Sequence, residues 1–257
     1  MKSSQSHTQQ HLVKIGTSGI VLPGNKSTFP LEFQSQTRLH YFATLFNSLE
    51  VNSSFYKIPK FATFEKWASE VPDDFKFSVK LWRGITHAKK LAYSLDDLTR
   101  FMDAAEGLGT KKGCLLVQFP ASIRIESYEE VAALLRRIAD LNANNQWQLA
   151  VEFRHIDWYF TKVYDLLSTI KSTLVMHDMP NSTPPVELLE YFDPTCLYLR
   201  FHGPSGQYTG SYSNQFVDEY AEFIKKWRSQ GKLIYVYFNN TIGSALQNAQ
   251  RLQHQLR

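Results

Sequence analysis

Residues 149–154, Leu-Ala-Val-Glu-Phe-Arg, contain the pattern that decides the fold. Side chains alternate between the two faces of an extended strand, so Leu149, Val151 and Phe153 share one face. Glu152 and Arg154 fall on the opposite face, where the strand ends. The pattern therefore predicts a strand with one apolar face, whose other face ends in charged groups.

Apolar runs of this kind recur along the chain, and nearly every run ends in a polar residue. The eight runs are Val13–Thr17, Leu49–Asn52, Phe75–Lys80, Cys114–Gln118, Leu149–Arg154, Leu174–Asp178, Leu197–His202 and Leu233–Asn239. Helical segments follow them, at Gln34–Asn47, Ala62–Val71, Leu95–Leu108, Tyr128–Leu141, Tyr159–Ile170, Pro184–Tyr191, Asn214–Gln230 and Gly243–Leu256. Strands that alternate with helices favour parallel pairing. Eight such units in 257 residues predict a (β/α)8 TIM barrel.

An open doubly wound sheet is the alternative architecture. Its usual signature is a Gly-rich, phosphate-binding turn after the first strand. Here residues 16–19, Gly-Thr-Ser-Gly, resemble that turn only loosely. Eight units also favour closure into a barrel over a sheet with open edges.

Composition places the chain among globular proteins, with 43% apolar and 20% charged residues. We expect a disordered N-terminal tail over residues 1–12 and a single domain over residues 13–257. No stretch approaches the ~20 apolar residues of a membrane span. Cys114 and Cys196 are predicted to be buried, reduced thiols, which favours a cytoplasmic location. The net charge of +4 permits an anionic partner but does not require one.

Strand phase predicts what faces the inside of the barrel. The apolar face of each strand must meet the helices, so the polar face of six strands points into the lumen. These inward polar residues are Glu50, Asn52, Lys80, Gln118, Glu152, Arg154, Arg200, His202 and Asn239. In the sixth strand His177 and Asp178 have opposite phases, and one of them is expected to face inward. All of them lie near the C-terminal ends of the strands, where TIM-barrel active sites sit.

The same residues carry a resemblance to a known family. Six motifs resemble the DUF72 (YecE-like) family in order along the chain: FNSLEVNSSFY (46–56), FSVK (77–80) with Thr86 and His87, QFP (118–120), VEFRH (151–155) with Trp158, YLRFHG (198–203) and YFNNT (237–241). Asp157 stands where that family usually has Ser. The resemblance runs from about Lys14 to the C-terminus and implies a TIM barrel. It implies no reaction, because the family's name records an unknown function.

The charges of the lumen predict an anionic ligand. Lys80, Arg154 and Arg200 outnumber the carboxylates of Glu50 and Glu152, and Arg side chains suit carboxylate or phosphate. The alternative is an ion-pair network satisfied within the protein, such as Glu152 with Arg154 or Arg200.

The loops after the seventh and eighth strands are a second place where TIM barrels bind phosphate. Here the seventh strand leads into a Gly-rich loop, residues 203–210, which contains Tyr208. Asn240 and Thr241 are expected to cap the last helix and leave its N-terminus open to an anion. An ordinary Gly-rich connection is the alternative.

The leading hypothesis is therefore an enzyme that acts on a phosphate-bearing substrate, and the partners it allows are a small anionic ligand, a nucleotide or a nucleic acid. Glu50 or Glu152 is the predicted general base, His202 the acid or an orienting group, and Asp178 a further catalytic candidate. The predicted substrate-binding residues are Asn52, Lys80, His87, Gln118, Arg154, Arg200, Asn239, Asn240 and Tyr208. Aromatic residues expected to stack on bases or sugars at the rim are Tyr56, Trp82, Trp158, Tyr208 and Tyr212.

Three other functions stay open at this point. A glycosidase would use Glu50 and Glu152 as its carboxylate pair, although neighbouring cations would lower the pKa of the required acid. A metal-dependent hydrolase would use Glu152, His177 or Asp178, and His202, but no clustered metal motif occurs and no metal site is predicted. A non-catalytic binding barrel is the third. The sequence identifies no cofactor and no oligomeric state.

Overall fold

The fold is a barrel of eight parallel strands. The computed structural model describes residues 11–144, 146–189 and 195–257. The strands are β1 (Val13–Thr17), β2 (Ser48–Val51), β3 (Lys76–Lys80), β4 (Lys112–Phe119), β5 (Gln148–Phe153), β6 (Ser172–His177), β7 (Cys196–Phe201) and β8 (Leu233–Phe238). Hydrogen bonding orders them β1-β8-β7-β6-β5-β4-β3-β2, and every neighbouring pair is parallel. The predicted (β/α)8 TIM barrel is therefore confirmed.

Helices cover the outside of the strands. The longer ones in the described ranges are α1 (Arg38–Leu45), α2 (Phe61–Ser69), α3 (Leu95–Ala105), α4 (Tyr128–Leu141), α5 (Thr161–Thr169), α6 (Asn214–Ser229) and α7 (Ala245–Gln255). Predicted and observed ends differ mainly at caps: α1 begins at Arg38 rather than Gln34, because the Thr37 hydroxyl accepts the His40 N–H at 3.0 Å. Three four-residue helical turns, too short for a periodic signal, were not predicted: Leu31–Gln34, Ser53–Tyr56 and Arg83–Thr86.

Two predicted segments fall partly outside the described residues. Of the predicted tail, residues 1–10 are not described. Leu12, which was also predicted to belong to the tail, is bonded to the barrel: its carbonyl accepts the Ile234 N–H of β8 at 2.8 Å. The helix predicted at Pro184–Tyr191 runs into residues 190–194, which are likewise not described. In the described ranges, no helix has the length and apolar character needed to cross a bilayer.

The predicted strand phase is confirmed by two separate apolar clusters. The lumen is plugged by eight side chains, all from β4 to β8: Cys114, Leu116, Ala150, Val175, Cys196, Tyr198, Tyr235 and Tyr237. The opposite faces, such as Val151 and Phe153 of β5, pack against the helices in the outer core. Both cysteines are buried and unpaired, as predicted. The polar strand ends therefore lie above a plug of buried, mostly apolar side chains, at one mouth of the barrel.

The seam between β1 and β2 closes the barrel with few ladder bonds. In the described residues the two strands pair through one bridge, Ser18 with Glu50, next to a Gly19 N–H to Glu50 carbonyl bond of 2.8 Å. They approach so closely that a Cβ on Gly16 would stand 2.0 Å from the Ser48 carbonyl oxygen. The Asn47 side chain replaces the missing ladder, since it accepts the Ile15 N–H and donates to the Val13 carbonyl, both at 2.9 Å.

Replacing Asn47 with Ala should destabilise the barrel, because it removes both bonds and leaves backbone groups of β1 unpaired. Each buried polar group left without a partner costs about 1–3 kcal/mol. We expect the free energy of unfolding, measured by chemical denaturation, to fall by an amount in that range or above it. Asn144→Ala, at an exposed position, is the control and should leave stability almost unchanged. Equal stability of the two variants would contradict this account of the seam.

Candidate functional site

One guanidinium lies at the centre of the mouth. Arg200 of β7 is buried, and its Nε and Nη2 donate to the two carboxylate oxygens of Glu50 at 2.9 and 2.8 Å. Its Nη1 donates to Glu152 Oε2 at 2.6 Å. A single side chain thus joins β7 to β2 and to β5 across the lumen.

Each carboxylate oxygen of Glu50 accepts two hydrogen bonds. In addition to Arg200, the Tyr198 hydroxyl donates to it at 2.6 Å and the Ser18 hydroxyl donates to Oε1. Burial by itself would raise the pKa of Glu50, but the charge of Arg200 and these hydrogen bonds lower it below its usual value. Glu50 is therefore an ionised, fully partnered group, and no lone pair faces a ligand.

Glu152 is held ionised in the same way. Its second oxygen pairs with Arg154 at the end of β5. Although burial opposes the charged form, Arg154 and Arg200 hold the pKa of Glu152 well below its usual range. A glycosidase needs one protonated carboxyl group of the pair, so these two carboxylates do not fit that role.

His202 is a neutral bridge between the guanidiniums and Asp178. Its Nε2 lies 3.0 Å from Arg154 Nη2 and 3.3 Å from Arg200 Nη1. Because guanidinium groups only donate, Nε2 must accept, and the ring proton sits on Nδ1, which lies 3.2 Å from Asp178 Oδ1. Burial lowers the pKa of His202, and the Arg200 charge adds to this effect. Of the two predicted roles, this geometry favours orientation over acid catalysis.

The phase ambiguity in the sixth strand is resolved in favour of His177. His177 shares the inward face with Val175, and its ring is committed to the Phe153 carbonyl at 3.0 Å and the Met179 N–H at 3.2 Å. Asp178 follows the strand and still reaches the network, where it accepts the His202 N–H at 2.7 Å and the Tyr212 hydroxyl.

A cavity of about 440 Å³ opens above this network. Its walls come from the strand ends and from the loops that follow them. The lining residues are Ser18, Asn52, Phe55, Tyr56, Lys80, Gln118, Arg154, Arg200, Tyr208, Asn239, Thr241 and Ile242. Glu50, Glu152, His202 and Asp178 are not among them and lie beneath the floor.

Lys80 differs from the other cations of the site. Its side chain is only 9% exposed, and its Nζ lies 4.0 Å from the centroid of the Phe55 ring. In the described ranges it has no carboxylate within ion-pair distance, whereas Arg154 and Arg200 are both paired. Burial and the Arg200 charge lower the pKa of Lys80 to about 7, even though Glu152 and Glu50 act in the opposite direction.

One buried polar atom of the wall lacks a hydrogen-bond partner among the described residues. The Asn52 Oδ1 atom is buried without a hydrogen bond. Gln118 and Asn239 are buried amides that line the same cavity. A buried polar group without a partner is costly unless a ligand or water satisfies it, so this wall suits a polar ligand.

Two predicted binding residues lie away from the cavity. The Asn240 amide donates to the Gly210 carbonyl and to Asn248 Oδ1, each at 3.0 Å, and so fixes the Gly-rich loop. It does not cap α7, whose N-cap residue is Ser244, so the predicted capping role of Asn240 is wrong. The ring of His87 packs against that of Phe55, with 4.9 Å between the ring centroids. Burial lowers the pKa of His87 to about 4.

Only part of the predicted aromatic rim exists. Tyr56 is 69% exposed and Tyr208 also lines the cavity. Trp158 is buried against Phe153, and Tyr212 is buried with its hydroxyl on Asp178. Both are structural, so their predicted stacking role was wrong.

A wider groove beside the mouth contains Trp82 but not the strand-end residues. Its volume is about 720 Å³, and it shares only Tyr56 with the cavity. Apart from a few charged groups such as Lys57 and Asp103, its lining is apolar. The smaller cavity is therefore the candidate site, because the polar strand ends converge there.

Three lining residues, Ser18, Phe55 and Ile242, were not identified as site residues from the sequence. Ser18 lies on the inward phase of β1 together with Lys14 and Gly16, so strand parity already contained its signal. Phe55 comes three residues after Asn52 in a short helical turn that has no periodic signal.

The pairing in the structure shows which of the three predicted cations is left without a carboxylate. The two guanidiniums are balanced by Glu50 and Glu152, as in the alternative of an internally satisfied network. Lys80 alone remains without an acidic partner among the described residues. For a metal site, the described residues contain no group of three His, Cys, Asp or Glu side chains placed to hold an ion.

Comparison with known proteins gives a family but no activity. A family model described as "Protein of unknown function DUF72" matches residues 14–257. The protein YunF of Bacillus subtilis, designated UPF0759, is 27% identical over 90% of both chains. YecE of Escherichia coli is 28% identical over 48% of this chain and 43% of its own. A crystal structure of a DUF72 family protein from Enterococcus faecalis superposes with a TM-score of 0.77 at 22% identity, covering 95% of each chain.

Removal of the central guanidinium should destabilise the protein strongly. Arg200→Met leaves Glu50 buried without a cation, and breaking a buried ion pair costs about 3–5 kcal/mol. Wild-type Glu50 and Glu152 have lowered pKa values, so their stabilising effect is present above the usual Glu pKa and is lost as pH falls. In the variant, burial instead raises the pKa of Glu50, so the stability deficit should shrink as the pH is lowered to about 5.

The control is the exposed pair of Arg100 and Asp97, 2.6 Å apart. Arg100→Met should change the free energy of unfolding by less than about 1 kcal/mol. Urea denaturation of both variants at neutral and acidic pH measures the two effects. Similar losses for Arg100→Met and Arg200→Met would show that the network is not a stabilising centre.

Proposed function

The chain belongs to the DUF72 family of proteins of unknown function, and on the basis of its own site we propose that it is an enzyme that binds a small anionic, phosphate-bearing substrate at the barrel mouth. The observation that supports this proposal most is the environment of Lys80. Lys80 is the cation of the site without an acidic partner in the described ranges, and it is buried in the wall of the cavity.

An anion would complete the electrostatics around Lys80. Burial removes water from the ammonium group, and Arg200 and Arg154 repel it, so its proton is weakly held. A phosphate or carboxylate in the cavity would supply the missing negative charge. Arg154, at the edge of the same cavity, is the second cationic group that such a ligand would meet.

The amides of the wall would recognise the polar remainder of the ligand. The side-chain amides of Asn52, Gln118 and Asn239 provide both hydrogen-bond donors and acceptors. The Asn52 Oδ1 atom accepts no hydrogen bond from any described residue, so it is available to a ligand. Glu50, Glu152, His202 and Asp178 would act from below as positioning residues that fix the two guanidiniums. This assignment replaces the general-base role predicted for Glu50 or Glu152.

The dimensions of the cavity favour a small molecule over a nucleic acid. About 440 Å³ lies within the usual range for small-molecule sites, roughly 300–1,000 Å³. A sugar phosphate or a mononucleotide is of suitable size. The aromatic residues that line the cavity are Phe55, Tyr56 and Tyr208, and Lys80 already covers the Phe55 ring. The cytoplasmic location expected from the two reduced cysteines stays a prediction.

A ligand panel tests the class of substrate. Thermal-shift measurements with sugar phosphates, mononucleotides, short oligonucleotides and neutral sugars should give stabilisation by the small phosphate-bearing compounds. Responses confined to oligonucleotides or to neutral sugars would overturn the proposal, as would no response at all. Binding without turnover would identify a non-catalytic binding barrel instead of an enzyme.

Sulfate binding should depend on pH through Lys80. Sulfate keeps the same charge over about two pH units on either side of neutrality, so any change reports the protein. Because free Lys80 loses its proton near pH 7, the association constant measured by calorimetry should be highest below pH 7 and fall as the pH rises above it. Near Lys80, the pKa values of Glu50 and Glu152 are lowered, that of Arg200 is raised and that of His87 is lowered to about 4, so none of these four groups titrates near pH 7. Arg154 is a further charged neighbour.

Lys80→Met should weaken sulfate binding by roughly 10–100-fold and abolish this pH dependence, since a charged hydrogen bond is lost. Lys66→Met, at an exposed position on α2, makes the same change of charge away from the cavity and should behave like the wild type. Undiminished binding by Lys80→Met, or weakened binding by Lys66→Met, contradicts the assignment of Lys80.

A further inference from the structure

We propose that the Lys80 amine is a nucleophile that forms an imine with a carbonyl carbon of the ligand. The substrate class would then be an anionic aldehyde or ketone. This inference rests on the proposed function, because it places the ligand in the same cavity, but it adds a covalent step and a reacting group that anion binding does not require.

The position of Lys80 suits a nucleophile. It ends β3, so its backbone is held in the barrel wall while its amine reaches the cavity. The amine rests on the apolar face of Phe55 rather than on a carboxylate. No described residue accepts a hydrogen bond or forms an ion pair with it, so no internal salt bridge stabilises its protonated form.

The environment of Lys80 favours the unprotonated form. Burial is the largest effect, Arg200 and Arg154 add repulsion, and Glu152 and Glu50 oppose it, with a resulting pKa of about 7. At neutral pH about half of the amine is therefore free, whereas for an exposed lysine the fraction is on the order of one in a thousand. A desolvated amine beside other cations is a known way to activate lysine for imine formation.

The reaction balances without any further reagent. The nitrogen lone pair attacks the carbonyl carbon while the carbonyl π electrons move to oxygen, which takes up a proton to give a carbinolamine. Nitrogen loses one proton in return. The hydroxyl group then takes up a second proton and leaves as water as the carbon–nitrogen double bond forms, and the nitrogen releases its remaining proton to give the neutral imine. The sum is one amine and one carbonyl compound giving one imine and one water.

The rest of the cavity supplies what this step needs. Arg154 keeps its charge when Lys80 is neutral, so it is the group that would hold the anionic part of the substrate. The amides of Asn52, Gln118 and Asn239 line the same space and can donate to the oxygen as negative charge develops on it. Glu50 and Glu152, beneath the floor, are paired with Arg200 and Arg154, so neither carboxylate forms an ion pair with the Lys80 amine.

Reductive trapping tests the inference directly. Pyridoxal 5′-phosphate, an aldehyde that carries a phosphate, is the probe; borohydride reduction fixes any imine, and peptide mass spectrometry locates it. We expect one dominant label, on Lys80. Lys14 and Lys76 are internal controls, because burial lowers the pKa of each and both lie at the opposite end of the barrel. Labelling of Lys80 should exceed labelling of either by at least about tenfold.

A charge-preserving variant separates the two proposals. Lys80→Arg keeps a cation but cannot form an imine, so it should still bind sulfate and should lose the label. Lys80→Met should lose both. In the wild type, sulfate should protect Lys80 from labelling because the two compete for one cavity.

The outcomes distinguish the failure of each proposal. Sulfate binding without preferential labelling of Lys80 would overturn the imine and leave the anion site in place. Neither sulfate binding nor labelling would overturn both. Circular dichroism checks that each variant folds, and should Lys80→Arg fail to fold, the comparison of Lys80 with Lys14 and Lys76 in the wild type still decides.

Discussion

The buried contact of Arg200 with Glu50 and Glu152 is the interaction on which the rest of the site depends. It joins three strands, β2, β5 and β7, that are far apart in the chain and lie around the lumen. A buried charge without a partner is so costly that none of these three residues is independent of the others. Arg154, His202 and Asp178 extend the network, so the floor of the mouth is one connected polar layer.

This layer determines which groups remain for chemistry. Glu50 and Glu152 are ionised and shielded, and His202 carries its proton on the side away from the guanidiniums. The reactive character of the site therefore moves from the carboxylates to the wall, and above all to Lys80. The same network commits both carboxylates to the guanidiniums, so this buried amine has no acidic partner among the described residues. Burial, more than the opposing charges around it, lowers the pKa of Lys80.

The fold followed from sequence more completely than the site did. Alternation in residues 149–154 predicted both the strand and its inward face, and the same reasoning placed Lys80, Gln118 and Arg154 in one cavity. Asn240 shows where strand alternation fails as a predictor. The residue follows β8 as predicted, but its side-chain amide bonds to the Gly210 carbonyl instead of facing the cavity. Parity specifies a face, but it does not specify the partner that a side chain meets on that face.

The sequence by itself determined the barrel, the inward set of polar residues and the mouth where they meet, because period-2 alternation and the direction of parallel strands are local properties. Only the tertiary structure decided how the charges pair. Glu50 and Arg200 are 150 residues apart in the chain, and whether their atoms come within hydrogen-bond distance depends on register and closure around the lumen. For that reason only the structure shows that, of the three cations counted from the sequence, Lys80 is the one without an acidic partner in the part of the chain that the structure describes.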